Sequence, residues 1–196
     1  MSWASIIITF ALVDNVVLSR LLGIVHPLGT PGSLRASAAL GITIGVLVGL
    51  SSLGAWAADS LVLVPLGFTF LRTPVYVFIV AGLAWLLAEA ARMLGERVPA
   101  SGVSFAEAAI NSAALGAVLI IRRAGYTAGE GLLAGLAAGV GYAIVIVILT
   151  AIRQRLELEQ VPRAMRGLPL HLVSAGLLAY AFLAFDRAFL AKVLGG

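Results

Sequence analysis

"FALVDNVVLSRLLGIVHPLG", residues 10–29, opens as a membrane helix and then breaks its own pattern. Asp14, Asn15 and Arg20 interrupt a run of Val, Leu and Ile, and Gly23, Pro27 and Gly29 follow within a few residues. An ionised group near mid-membrane costs about 2.5–3.5 kcal/mol on insertion scales. Chains retain such groups where they line a cavity, pair with a partner or cap a broken helix. The stretch therefore predicts a first membrane helix that is interrupted at Asp14–Asn15.

The rest of the chain supports a membrane setting. Of 196 residues, 61% are apolar and only 11% charged, against roughly 25% charged in soluble domains. Mean hydropathy is +1.09. Six segments are apolar enough to cross or enter a bilayer, at about 2–23, 37–58, 74–94, 103–121, 131–152 and 168–186. The N-terminus carries no basic n-region and is read as the first span. The net charge of +4 bears on orientation within the membrane. With no basic stripe interleaved with aromatics, nucleic acid is excluded as a partner; lipid is expected.

The two halves echo each other. "AGLAWLLAEAARML" (81–94) is answered by "AGLLAYAFLAFDRAFL" (175–190), and "LRTP" before the third span by "RGLP" before the sixth. Gly41, Gly45 and Gly49 find Gly131, Gly135 and Gly139, and "FALVDN" (10–15) finds "FAEAAIN" (105–111). Three spans per copy is an odd number, so the second copy enters from the opposite side. The expected fold is an all-α integral membrane protein with six transmembrane helices in two inverted three-helix repeats. The first and fourth helices are interrupted. Residues 1–196 form one membrane domain, with repeat one at about 1–95 and repeat two at about 101–192. Such repeats place sites at the midplane between the copies, where irregular backbone is tolerated because protein surrounds it. Loops after the first, third and fifth spans hold seven arginines, namely Arg35, Arg92, Arg97, Arg153, Arg155, Arg163 and Arg166. The other side holds five basic residues. The excess predicts termini outside the cell.

Asp14 and Asn15 in the first copy, and Glu107 and Asn111 in the second, are the candidate ion-path residues. Two readings stay open for them: contact with an ion route, or capping of free helix N–H groups. The glycine ladders suit close helix packing, Pro74 and Pro169 mark first turns of helices, and Arg122 and Arg123 are read as headgroup anchors. There are no cysteines, and only two histidines, His26 and His171. No metal site is expected from this chain, and no catalytic residue is evident in it.

Several stretches resemble a known family: "NVVLSRLLG" (15–23), "LVPLGFTFLRTPVYVFIVA" (63–81), "INSAALGAVLI" (110–120) and above all "AIRQRLELEQVPRAMRGLPLHLVSAGLLAYAF" (151–182). The chain resembles the RnfA/RnfE–NqrD/NqrE family of small six-span subunits of ion-translocating redox complexes, with the last stretch most like RnfA. The resemblance implies a membrane subunit of an Rnf/Nqr-like complex that couples electron transfer to Na⁺ or H⁺ translocation. It implies a multi-pass position in a bacterial or archaeal cell (inner) membrane. The implied partners are a paralogous six-helix subunit in opposite orientation, or a second copy, together with flavin-bearing and ferredoxin-like subunits.

In that family two cysteines from each paired subunit hold a [2Fe-2S] cluster at the helix breaks. Here Val25 stands at the first such position, in Leu22-Gly23-Ile24-Val25-His26-Pro27, and Ser112 at the second, in Asn111-Ser112-Ala113-Ala114-Leu115-Gly116. Neither is a competent ligand, so no cofactor is expected to be held by this chain and the family cluster is expected absent or altered. Two other functions fit: a cysteine-free relative acting as a homodimeric transporter or ion-conducting module, and a structural membrane anchor.

Overall fold

A computed structural model describes residues 2–20, 22–23, 33–93, 108, 111–156, 159 and 162–183. Every regular element among them is helical. The first is α1 (Trp3–Ile8), capped by the Ser2 hydroxyl, which accepts from Ser5 N at 3.2 Å. It loosens into a π-helical turn over Thr9–Val13, and a short α2 (Val16–Arg20) follows the break. The first apolar segment is thus interrupted where its polar residues predict.

Three further helices are long and apolar enough to cross a bilayer among the described residues. They are α3 (Leu34–Ala58), extended by a π turn over Asp59–Leu63, α4 (Arg72–Met93) and α6 (Ala128–Leu156). Pro74 lies in the first turn of α4, where its missing N–H costs nothing. Between α4 and α6 lies α5 (Ser112–Arg123), and α7 (Leu168–Phe182) closes the described chain with Pro169 in its first turn. Six spans are expected from sequence. The first is divided at Asp14–Asn15, and the fourth is described chiefly from Asn111 onward. The sixth is described as a 15-residue apolar helix.

The centre of the molecule is the antiparallel pair α3 and α6. Gly45 lies against Gly139, Gly49 against Gly135, and Gly41 against Ala143. A Cβ on Gly139 would overlap the Gly45 backbone, and one on Gly135 would stand 2.6 Å from Gly49 Cα. The two glycine ladders are therefore each other's partners. Dispersion between closely apposed backbones supplies the attraction that apolar side chains cannot gain in lipid. At one end of the seam the Ser37 and Thr150 hydroxyls hydrogen-bond at 2.8 Å.

Around this pair the elements pack in a regular pattern. α4 lies on α3 and reaches α5; α7 lies on α6 and reaches α2. Both outer helices present apolar side chains outward, including Phe78 and Trp85 on α4 and Leu177 and Tyr180 on α7. Only 17% of the apolar window of α4 is buried, against 56% for α3 and for α6. α4 is thus a lipid- or partner-facing element, and α3 and α6 are the core.

Candidate functional site

The site is the place where the chain's two asparagine-capped helix starts meet α6. Asn15 is buried and spans the first break. Its Oδ1 accepts from Val17 N at 3.1 Å, capping α2, while its Nδ2 donates to Ala11 O at 3.1 Å in the π turn before the break. One amide thus satisfies a free donor on one side and a free acceptor on the other. Only a side chain carrying both functions does this. Ser19 Oγ adds a bond to Asn15 O at 2.6 Å. α6 approaches this break closely through Gly141, where a Cβ would come within 2.8 Å of Asn15 Nδ2.

Asn111 repeats the cap at the start of α5. Its Oδ1 accepts from Ala113 N at 2.9 Å. Its Nδ2 instead donates across the structure to Tyr142 Oη on α6, at 2.8 Å. Tyr142 Oη in turn donates to Gly23 O at 3.4 Å, and Gly23 N donates to Ser112 Oγ at 3.0 Å. The turn after the first break is thereby seated on the start of α5. Gly23 has φ +77°, the left-handed region that favours glycine. It has no room either: a Cβ would lie 2.6 Å from Asn111 Oδ1 and 2.9 Å from Ala113 Cβ.

Asn15, Asn111 and Ser112 are brought into this junction. Ser112 is exposed while its neighbours Asn111 and Ala113 are buried, so position 112 opens outward from the chain's own core. Asp14 stands apart, half-buried, in a groove of about 560 Å³ between the first break and α7. Leu18, Ser19, Gly176 and Tyr180 also line that groove. Val25, Glu107 and His26 lie outside the described residues. Among the described residues no group of three or more His, Asp or Glu side chains is placed to hold a metal.

A second polar constellation was not singled out by sequence reasoning. Asp59, 3% exposed, accepts from Arg72 Nε at 2.9 Å, Tyr76 Oη at 2.7 Å and Arg122 Nη2 at 3.2 Å. Arg122 also donates to Tyr126 O at 2.9 Å, and the Tyr126 ring meets Phe10 edge-on at 5.9 Å. The network ties α3, α4 and α5 to the π turn after α1 at one end of the bundle. Arg122 is therefore an ion-pair residue, its side chain 12% exposed, and not simply a headgroup anchor; the exposed Arg123 remains suited to that role. One acid at the end of an apolar span, with an arginine across the following turn, was the available signal. Tyr142 was also missed, although a buried tyrosine hydroxyl regularly needs a partner.

The profile of a family described as "Rnf-Nqr subunit, membrane protein" matches residues 3–188. One relative, from the Na⁺-translocating ferredoxin:NAD⁺ oxidoreductase complex of Acetobacterium woodii, is 33% identical over 182 residues, covering 92% of this chain and 95% of the relative. Another, from the proton-translocating ferredoxin:NAD⁺ oxidoreductase complex of Clostridium ljungdahlii, is 29% identical over 189 residues, covering 94% and 96%. A third, from an ion-translocating oxidoreductase complex of Cereibacter sphaeroides, is 31% identical over 181 residues, covering 92% and 94%. Each of the three is a single subunit of its complex.

Proposed function

The chain belongs to the Rnf-Nqr family of membrane subunits, and from that premise we propose that it is a membrane subunit of a complex coupling electron transfer to Na⁺ or H⁺ translocation. The relatives' names differ in the ion they give, so the choice of ion is a property of each complex. The observation that carries the reading is the Gly23–Ser112 hydrogen bond, which seats the turn after α2 on the start of α5, at Ser112, where the resemblance implies one of the family's cluster ligands.

Six spans in two inverted repeats are part of this proposal. The offset of 90 residues that takes Gly45 to Gly135 also exchanges the Gly45–Gly139 contact with the Gly49–Gly135 contact, as a twofold relation requires. The outer helices support it, since each packs on the central helix of its own half and reaches the first helix of the other. The asparagine caps, Asn15 and Asn111, repeat the same Oδ1 bond two residues on. The arginine excess favours termini outside, in a bacterial or archaeal cell membrane.

The residues present do not fit a thiolate-held [2Fe-2S] cluster. The chain has no cysteine, valine offers no lone pair, and the Ser112 hydroxyl oxygen already accepts from Gly23 N. The chain's contribution is accordingly to shape the junction against a paralogous subunit or a second copy, and to offer Asp14 to an ion route. Asn15 and Asn111 serve there as caps.

Purification from the native membrane in mild detergent tests the reading. The expected result is co-purification with a six-helix paralogue and with flavin-bearing and ferredoxin-like chains. In vesicles of that complex, Asp14→Asn should reduce redox-driven ion uptake while assembly is retained. A stable homodimer without redox partners, still moving ions, would replace this reading with that of a transporter.

A further inference from the structure

The charged stretch RQRLELEQVPRAMR (153–166) is not used by the junction, and its first residues, 153–156, form the last turn of α6, beyond Gly141 and Tyr142. There the last turn of α6, the first turn of α7 and residues between them line an open cavity of about 310 Å³, bordered by Arg153, Leu156, Glu159, Arg166, Gly167, Leu170 and His171. That size is at the lower end of the roughly 300–1,000 Å³ typical of small-molecule sites. We infer that this cavity binds a phosphate-bearing headgroup, with an anionic phospholipid of the surrounding leaflet as its source.

Charge comes first. Arg153 on α6 and Arg166 before α7 both line the space, and Glu159 offsets one of them, leaving one net positive charge with His171 neutral. Arg153, Arg166 and His171 are each held by interactions within the chain, which limits the ordering needed on binding. The N-terminus of α7 opens on the same space. Its N-cap is Gly167 at φ 81°, with no side-chain cap, so the positive end of a 15-residue helix adds to the two guanidiniums. Planar, doubly donating guanidinium groups suit phosphate oxygens in particular.

Placement and mixed chemistry then select the ligand. The cavity sits where the 29-residue α6 ends and its apolar run gives way to Arg153 and Arg155, the level at which a spanning helix meets lipid headgroups, and Leu156 and Leu170 give it apolar walls. An amphiphile satisfies both linings, whereas a bare phosphate uses only the polar one. Glu159 sharpens the choice. A carboxylate repels a phosphate placed beside it but accepts hydrogen bonds from a hydroxyl or ammonium on the same headgroup. Phosphodiesters that carry such donors are therefore favoured over phosphatidylcholine, which has none. This inference concerns the end of α6, away from the junction at Gly141 and Tyr142, and stands independently of the redox reading.

Native mass spectrometry of the full-length chain in detergent, titrated with phosphatidylglycerol, phosphatidylcholine or inorganic phosphate, tests it. Phosphatidylglycerol adducts should exceed phosphatidylcholine adducts, and Arg153→Gln/Arg166→Gln should weaken them by about tenfold or more, as expected for losing charge-assisted hydrogen bonds. Arg153→Lys/Arg166→Lys keeps the charge and should retain part of the binding, separating loss of ligand from loss of fold. Arg155→Gln, on the same turn but outside the cavity, should leave binding within about twofold, since surface charges act weakly. Displacement of the lipid by inorganic phosphate would overturn the lipid as source and identify free phosphate as a sufficient ligand; resistance to it would support the lipid diester. Equal losses in Arg155→Gln and the cavity double variant, no preference over phosphatidylcholine, or unchanged binding after Arg153→Gln/Arg166→Gln would each overturn the inference.

Discussion

The two asparagine-capped helix starts are built alike and used differently. At Asn15 the cap is self-contained: Oδ1 serves Val17 N and Nδ2 returns to Ala11 O, all within seven residues of chain. At Asn111 the same Oδ1 bond serves Ala113 N, but Nδ2 leaves for Tyr142 on another helix, and the following residue holds Gly23. The residue after the first cap, Val16, is buried; the residue after the second, Ser112, is exposed. The first cap repairs a break. The second joins the two halves of the molecule and turns one side chain outward.

The largest expected effect falls on the residue that both halves share. Gly23→Ala meets a left-handed backbone worth about 1–2 kcal/mol and a crowded site where added bulk costs about 1–3 kcal/mol. Gly67→Ala is the matched control, with φ +73° but nothing within 4 Å, so only the backbone cost of about 1–2 kcal/mol applies. Thermal melting in detergent should show the larger drop for Gly23→Ala. Equal drops would mean that the junction is not tightly seated.

Replacing each amide by a carboxylate probes the difference between the caps directly. Asn15→Asp keeps the cap acceptor but sets a carboxylate oxygen against the Ala11 carbonyl. Asn111→Asp faces a hydroxyl, which turns to donate to it. Both variants bear the cost of a buried charge, so the contrast isolates the partner. Asn15→Asp should be the less stable by about 1–3 kcal/mol, the cost of an unsatisfied buried group, measured as the difference in melting between the two variants. The reverse order would show that the first break is the more adaptable one.

The smallest effects come from removing the two hydroxyls that meet at Gly23. Ser112→Ala should cost about 0.5–1.5 kcal/mol, and Tyr142→Phe, which also takes the acceptor from the buried Asn111 amide, about 1–3 kcal/mol. Both bonds converge on Gly23, so the double variant should deviate from additivity by about 0.5 kcal/mol or more. Additive losses in that cycle would separate the tyrosine and serine contacts into independent interactions.

Local chemistry determined much of this protein. Apolar run lengths and the scarcity of charge made it a helical membrane protein. The position of Asp14–Asn15 located the helix break. Gly-xxx-Gly spacing marked the packing faces, and the residues at 15–23, 110–120 and 151–182 placed the chain in its family. Each of these is a property of a single segment, set by transfer free energy or backbone geometry, and so can be read without knowing what lies opposite. The tertiary structure decided what lies opposite. It made the two glycine ladders partners of one another. It sent the Asn111 amide to Tyr142 and not back along its own helix. It gathered Asp59, Arg72, Tyr76 and Arg122 from three helices around one carboxylate. Polar groups that are expensive in lipid must find partners, but many neighbours can satisfy them, and only the packed fold selects which one does.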